Sequence, residues 1–389
     1  MITMTSLIHT WTLAPDEWIL SLRLFPEILG GSFVSSTSSG RLRLYSTEFS
    51  NAPLIDIKAH ESSINDIEKI DENTLVSAST DGVKVWDLRQ ALQRPQLTLS
   101  NPKKSNFLSL GSKGLALAGG TELVGVDAEL HIWDLKNPDS VVRSFVDSHH
   151  DDITDIKFHP SYNYLMSGST DGCVNIYNLD EPDEDEALHQ VVNFASVHSC
   201  HFTGKNRISV LSHMETLGFF ELNSTDYDVN DEPPPNDLGD VRSLWPNCEY
   251  VVDIGRDHVF YGANLRSSLT VIPFDAENET FAVGSAISFP GAHGEEVVRD
   301  GILIPNTNKA ITCGEDGTIK AWQLPVNVVG ESEKINKKEK KEKKEKKVEK
   351  KEKREKKEKK EKKDRNDRDG LDTKKRHKEK KKSSRFKPY

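Results

Sequence analysis

The stretch His293 to Trp322, HGEEVVRDGILIPNTNKAITCGEDGTIKAW, spaces four polar side chains so that they can meet in one kind of local structure. Val297 follows His293 by four residues, Thr312 stands four before Asp316, and Trp322 lies six beyond that aspartate. In a sheet of four antiparallel strands, the histidine falls in the loop before the first strand and the threonine in the second. The aspartate falls in the tight turn after it, and the tryptophan in the third strand. The indole N–H then donates to the threonine hydroxyl, the hydroxyl to the imidazole, and the imidazole to the carboxylate. Each bond contributes about 1 kcal/mol net, and an unpartnered buried donor costs more, so the four residues specify one another. Gly317 allows the positive φ of a two-residue hairpin turn.

One such unit calls for others, and the chain supplies them. ILSLRLF and GGSFVSSTSSGRLRLYS give a first copy, with Ser39-Gly40 as the turn and Tyr45 in the tryptophan position. The second has His60, Ser77, Asp81 and Trp86. The third ends in ELHIWDL with Asp127 six before Trp133, lacks the histidine, and carries an insertion around Gly120–Gly125. The fourth repeats the full set as His149, Ser167, Asp171 and Tyr177. The fifth and sixth keep strand patterns alone, with Phe220 and Ile272 as third-strand landmarks. From Tyr45 to Trp322 the landmarks are 41, 47, 44, 43, 52 and 50 residues apart, against about 40–45 for a four-stranded blade. The expectation is an all-β, seven-bladed β-propeller over residues 1–325. Residues 3–12 read as a surplus strand that pairs within the last blade and closes the ring. The acidic connections 180–186 (DEPDEDE) and 224–237 (STDYDVNDEPPPND) are expected to be mobile loops.

Charge separates the body from a tail. Residues 1–330 carry 22 Lys and Arg against 47 Asp and Glu, and residues 331–389 carry 30 against 15. An acidic body argues against gripping a nucleic-acid backbone. The four cysteines lie far apart and read as reduced thiols. The first residues lack a basic and apolar leader, and no run approaches the ~18 apolar residues of a membrane span. Residues 326–389 form a Lys/Glu-rich tail in which Glu339 and Lys343, or Glu349 and Lys353, stand four apart in the helix-favouring order. Over the Lys/Glu run 337–363, Val348 is the lone apolar residue, so a solitary charged helix of coiled-coil-like composition and a disordered arm both remain open. Lys374, Lys375, Arg376 and Lys378 fit a nuclear import signal.

AGGTELVGVDAELHIWD (118–134), HDDITDIKFHP (150–160), SGSTDGCVN (167–175) and the CGED turn at 313–316 resemble the WD-repeat family of WD repeat-containing protein 89. The likeness extends over roughly residues 20–325. It implies a seven-bladed WD-repeat propeller, nuclear, in a family of loosely defined role. The long Lys/Glu tail departs from that family's shorter basic end, so no role for it is carried over.

The His-Ser/Thr-Asp sets invite a hydrolase reading. They recur in three blades at positions that serve folding, and one active site has no use for three copies. His149-His150-Asp151-Asp152 lacks further spaced ligands for a metal, and no cofactor-binding motif is present. The expectation is therefore no catalysis, no metal and no cofactor. Glu61, Asp151, Asp152, Glu295 and Glu296 follow the repeat histidines and are expected to ring one end of the central channel as a docking site for a basic protein. The favoured reading is a monomeric, non-enzymatic scaffold or escort, nuclear with possible cytoplasmic presence, and with no membrane association. The alternatives are an RNA-associated adaptor contacting RNA through the tail, and a substrate-recognition subunit of a ubiquitin ligase. Trp86-Asp87-Leu88-Arg89 is a partial cue for the last of these.

Overall fold

Short runs in which buried apolar residues alternate with others, broken by turns every few residues, pair here as seven blades of four antiparallel strands, the sixth extended by the short strands Thr3–Met4 and Thr280–Phe281. The computed structural model describes residues 3–325 apart from 15, 91–93, 205 and 225–234. Listed from the central channel outward, blade one is Ile19–Phe25, Ser32–Thr37, Arg41–Ser46 and Ile55–Lys58, and blade two is Asp66–Lys69, Thr74–Ser79, Gly82–Asp87 and Leu97–Leu99. Blade three is Phe107–Lys113, Ala116–Thr121, Ala128–Asp134 and Arg143–His149, and blade four is Ile153–Phe158, Tyr164–Ser169, Cys173–Asn178 and Leu188–Asn193. Blade five is Val197–Phe202, Arg207–Ser212, Thr216–Glu221 and Asn236–Asp240. Blade six is Tyr250–Ile254, His258–Ala263, Ser268–Asp275 and Ile287–Pro290. Blade seven is Val298–Ile304, Lys309–Gly314, Thr318–Gln323 and, from the start of the chain, Ser6–Thr12. The seventh innermost strand lies against the first, so the ring is closed.

A blade has two faces, and each packs on a neighbour. The buried apolar residues accordingly form seven layers, one at every seam, such as Phe25, Val34, Leu42, Leu44, Ile64, Ile67 and Trp86 between blades one and two. The seam between blades seven and one holds Trp11, Ile19, Leu22, Phe33, Tyr45, Ile311 and Ile319. Trp11 is 3% exposed and sits 5.5 Å from the Phe33 ring and 5.3 Å from Tyr45. The last blade's outermost strand therefore also grips the first blade.

The pairing of residues 3–12 is split. Ser6–Thr12 runs antiparallel to Thr318–Gln323, from Ser6 opposite Gln323 to Thr12 opposite Thr318. Thr3 and Met4 instead lie parallel to blade six, opposite Ile287 and Ser288. Thr5 N–H donates to the Ser288 carbonyl at 2.9 Å, so that carbonyl on the free edge of blade six holds the chain before it crosses to blade seven.

The connection at 180–186, expected to be a mobile loop, instead carries hydrogen-bonded structure. Asp183 caps a one-turn helix, Glu184–Ala187. Glu184 Oε1 accepts from Val146 N–H (2.8 Å) and the Ser148 hydroxyl (3.0 Å), while the Arg143 guanidinium donates to the Asp183 carbonyl (3.0 Å). The Glu184 carboxylate finds its donors on blade three's outermost strand, a neighbour that composition does not disclose. At the end of the second connection, Asn236 and Asp237 already belong to blade five's outermost strand, while 225–234 and the tail from 326 lie outside the described residues.

Trp11→Ala should lower unfolding free energy by ~3–5 kcal/mol in chemical denaturation, because it empties a site shared by two blades. Deleting residues 1–12 should leave Thr318–Gln323 as an open edge and give aggregates on size exclusion. A soluble monomer with wild-type melting would show that the ring is sealed by other contacts.

Candidate functional site

Strand alternation sorts the connections. The loop into each innermost strand and the hairpin between second and third strands emerge on one face, here called the entry face. The remaining turns lie on the exit face.

The repeat residues build the entry-face loops. In blade seven, His293 Nδ1 donates to Asp316 Oδ1 (2.7 Å), Thr312 Oγ1 donates to His293 Nε2 (2.8 Å), and Trp322 Nε1 donates to Thr312 Oγ1 (2.9 Å). Blade two repeats this: His60 bonds Asp81, the Ser77 hydroxyl lies 2.6 Å from His60 Nε2, and Trp86 Nε1 donates to Ser77 Oγ at 2.9 Å. In blade four, His149 bonds Asp171 (3.0 Å) and Ser167 (2.7 Å), and the Asn175 side-chain amide donates to the Tyr177 hydroxyl at 3.2 Å. His60, His149, His293, Ser77, Ser167 and Thr312 are each at most 1% exposed. A hydroxyl sealed this way cannot meet a substrate. Burial pushes the Asp171 and Asp316 carboxyls up, but the bonds from their histidines outweigh it and hold both at about 2. Burial depresses the His60 and His293 imidazoles.

The other blades reach the same end differently. In blade one, Glu17 takes both Arg43 guanidinium nitrogens at 3.0 Å, and both residues are buried. In blade six, Gly262 leaves room for the Tyr250 ring, which a Cβ would meet at 2.1 Å. That lets the Tyr250 hydroxyl accept the Val298 N–H of blade seven at 2.9 Å. In blade three, Asp127 turns to the next blade and accepts from His150 (2.9 Å).

Sequence reading missed the channel wall. In six innermost strands the register slips by one residue near the start, a bulge that re-aims the residue after it. That residue is Asp155, Asp253 or Asp300 in blades four, six and seven. Asp300 accepts the Leu22 N–H across the seam (2.7 Å), Asp155 the Cys200 N–H (2.9 Å), and Asp66 of blade two the Leu110 N–H (2.9 Å). Arg23 stands 3.4 Å from both Asp66 and Asp300. Burial lifts Asp66 to about 6, and lifts Asp300, against the pull of Arg23. It acts on Asp155 and Asp253 too, but there Lys157 and His201 outweigh it and hold them low. The sequence signal was an aspartate a few residues after each repeat histidine, obscured because it follows the landmark instead of belonging to it.

On the entry-face loops, Glu61, Glu295 and Glu296 are exposed, and Asp151 and Asp152 are half-buried. Asp152 Oδ1 accepts the Leu123 N–H (2.8 Å) and Asp151 Oδ1 the Asp152 N–H (2.9 Å), so these two also shape their loops. The same face carries seven of the sixteen exposed large apolar residues among those described: Trp18, Leu123, Val124, Val126, Met214, Leu244 and Leu265. Val126 is 77% and Leu265 91% exposed. The apolar run in the TELVGVDA hairpin was the one sequence hint of this surface. Among the described residues no group of three or more His, Cys, Asp or Glu is arranged to hold a metal, and no helix is long and apolar enough to cross a membrane.

The WD domain, G-beta repeat family matches residues 140–178, which span the outermost strand of blade three and the inner three of blade four. An uncharacterized WD repeat-containing protein of Saccharomyces cerevisiae is 42% identical over 349 residues, covering 85% of this chain and 87% of its own. The chain belongs to the WD-repeat family. Within that family, the WD repeat-containing protein 89 homolog of Dictyostelium discoideum is 29% identical over 225 residues, 56% of this chain and 58% of that one. The Ribosome biogenesis protein WDR12 homolog of Aedes aegypti is 25% identical over 174 residues, 44% and 39% respectively. The offset of the matched segment from the blade boundary is itself a WD-repeat property here: the histidine before an innermost strand adjoins the preceding blade's outermost strand.

His293→Ala or Asp316→Ala should destabilise the WD-repeat ring by ~1–3 kcal/mol, read as a lowered melting midpoint. The carboxyls held near 2 and the depressed imidazoles mean that the unfolded chain binds more protons, so their contribution is complete above about pH 6.5. The carboxylate share is lost as pH falls from about 4 to 2. Asp66, lifted to about 6, acts in the opposite sense, its contribution being lost as pH rises through that value. The gap between wild type and Asp316→Ala should accordingly narrow toward pH 2; a gap that stays constant refutes the network as its cause.

Proposed function

We propose that this WD-repeat chain is a non-enzymatic, monomeric scaffold that docks a basic protein segment on its entry face and serves as an escort or assembly factor in the nucleus. One observation carries the reading: five carboxylates and seven exposed apolar side chains share one face. Apolar anchors supply affinity once desolvated, and a surrounding acidic field steers a basic partner and selects for it. WD-repeat propellers are generally non-catalytic scaffolds, and the buried His–hydroxyl pairs agree with that role. The similarity to a ribosome biogenesis protein of Aedes aegypti supports an assembly role with a ribosomal type of partner. The cue for the ubiquitin-ligase reading, Arg89, pairs with Asp87 at 2.7 and 2.9 Å and keeps its side chain 66% exposed, so that reading stands as the second one. The RNA reading rests on the tail, as does nuclear import through Lys374, Lys375, Arg376 and Lys378, all outside the described residues.

The protein that co-purifies at moderate salt is the probe. Glu61→Lys, Glu295→Lys and Glu296→Lys together should weaken its binding at least about tenfold, with the loss shrinking as salt rises, and should leave melting within ~0.5 kcal/mol per site. Leu265→Ser with Met214→Ser should weaken it at all salt concentrations. Glu72→Lys with Asp139→Lys, on exit-face turns, should have no effect. If this pair abolishes binding and the entry-face variants do not, docking lies elsewhere.

Alanine at Lys374, Lys375, Arg376 and Lys378 should move a fluorescent fusion toward the cytoplasm. Retained nuclear signal would assign import to another segment or to the partner.

A further inference from the structure

The seam between blades five and six differs from the others on its channel side. Ser109 of blade three and Ser199 of blade five hold the same place, the residue after the bulge in an innermost strand. The Ser109 hydroxyl crosses to blade four and donates to the Ile153 carbonyl at 2.8 Å. The Ser199 hydroxyl, in a residue 9% exposed, has no partner among the described residues. Neither has that of Ser209, which is 1% exposed and directly opposite His201 in the next strand. His201 Nε2 stands 3.5 Å from Asp253 Oδ1, long for a hydrogen bond. Ser199 lies opposite Leu211, which shares an apolar layer with Val251 and Ile254 of blade six, so strand alternation turns this polar row toward the seam. The innermost strands here, Val197–Phe202 and Tyr250–Ile254, also approach each other least of the seven neighbouring pairs.

The outside of the same seam is strapped instead. Blade six carries a connection, 275–286, between its third and fourth strands, and Thr280–Phe281 pairs back on the third strand. Asp275 Oδ1 shapes the turn by accepting the Glu277 and Asn278 N–H groups at 3.0 and 3.2 Å. Glu279 follows at φ 53°, a left-handed backbone that side chains disfavour. Its carboxylate reaches blade five, where it accepts from Arg207 Nε, from Arg207 Nη2 at 3.1 Å and from the Asn236 side-chain amide at 2.8 Å. Phe281 lies 4.7 Å from the Phe274 ring, 5.0 Å from Trp245 and 6.4 Å from Phe219 of blade five. Strained backbone persists where surrounding contacts hold it, and here the contact that holds it is the grip on the neighbouring blade.

We propose that the ring has a gate between blades five and six: the two blades part and reclose there, with the 275–286 strap as the latch and Glu279–Arg207 as its catch. Closing the seam buries hydroxyls without partners, which is less favourable than burying apolar groups of that size, and opening returns them to water. The strap acts in the opposite direction, through a two-point charge-assisted pair and a ring set among other rings. Glu215, which accepts the Val251 N–H at 2.9 Å on the entry side, is the pivot. Other seams are closed near the channel by Asp300 with the Leu22 amide, Asp66 with that of Leu110 and Asp155 with that of Cys200, so opening is confined to one place. The gate does not depend on which face docks a partner.

The test is hydrogen–deuterium exchange of the full chain at neutral pH, read by mass spectrometry. Peptides covering 197–212 and 250–263 should exchange at least about tenfold faster than those covering 107–121 and 153–169. Glu279→Gln, which keeps the size of the side chain and removes its charge, should speed exchange in the first two a further several-fold and leave the others unchanged. Ser199→Ala should slow exchange at the seam and raise the melting midpoint, whereas Ser109→Ala, the same change at the bonded position, should lower the midpoint. Reversal of Glu295 and Glu296 to Lys should leave the exchange pattern as in wild type, so the gate and the entry-face docking reading stand or fall separately. Even exchange across the four blades, a Glu279→Gln effect that is missing or spread over the whole ring, or a Ser199→Ala midpoint that is not raised overturns the proposal.

Discussion

Every seam between blades is crossed by a side-chain hydrogen bond or ion pair, and the ring depends on that set. Arg23 reaches Asp66 from blade one to two, and Asp66 takes the Leu110 amide from two to three. The Ser109 hydroxyl donates to the Ile153 carbonyl, Asp155 takes the Cys200 amide, and Glu215 takes the Val251 amide. Tyr250 takes the Val298 amide, and Asp300 takes that of Leu22 to complete the circuit. Within a blade the backbone pairs with itself; between blades the apolar layers attract without direction. Directional bonds to otherwise unpaired amides fix how far each blade turns on the next. An N–H left unpaired there would cost more than its bond contributes, so the set is hard to lose piecemeal.

The closing strand extends this logic. Trp11 serves blade seven by pairing and blade one by packing, and the residues before it tie blade six to blade seven. The exposed surfaces follow from the same construction. The seams hold the entry-face hairpins, where Val126, Met214 and Leu265 stand exposed beside carboxylates. The exposed side chains sit in loops because the strands are consumed by the ring.

What the sequence by itself determined was whatever repeats within a short span. The blade count, the strands of even the degenerate fifth and sixth blades, and the His–hydroxyl–Asp sets at 60, 77 and 81, at 149, 167 and 171, and at 293, 312 and 316 could be read because their partners lie within about one blade of one another. Only the tertiary structure decided what faces what across a seam. Glu17 with Arg43, Asp300 with the Leu22 amide some 280 residues away, the split pairing of residues 3–12, and the anchoring of Glu184 on blade three depend on how one blade turns against the next. The gathering of Trp18, Met214 and Leu265 on one face has the same origin. Spacing along the chain records local hydrogen bonding; it carries no record of blade rotation, which side-chain packing at the seams sets.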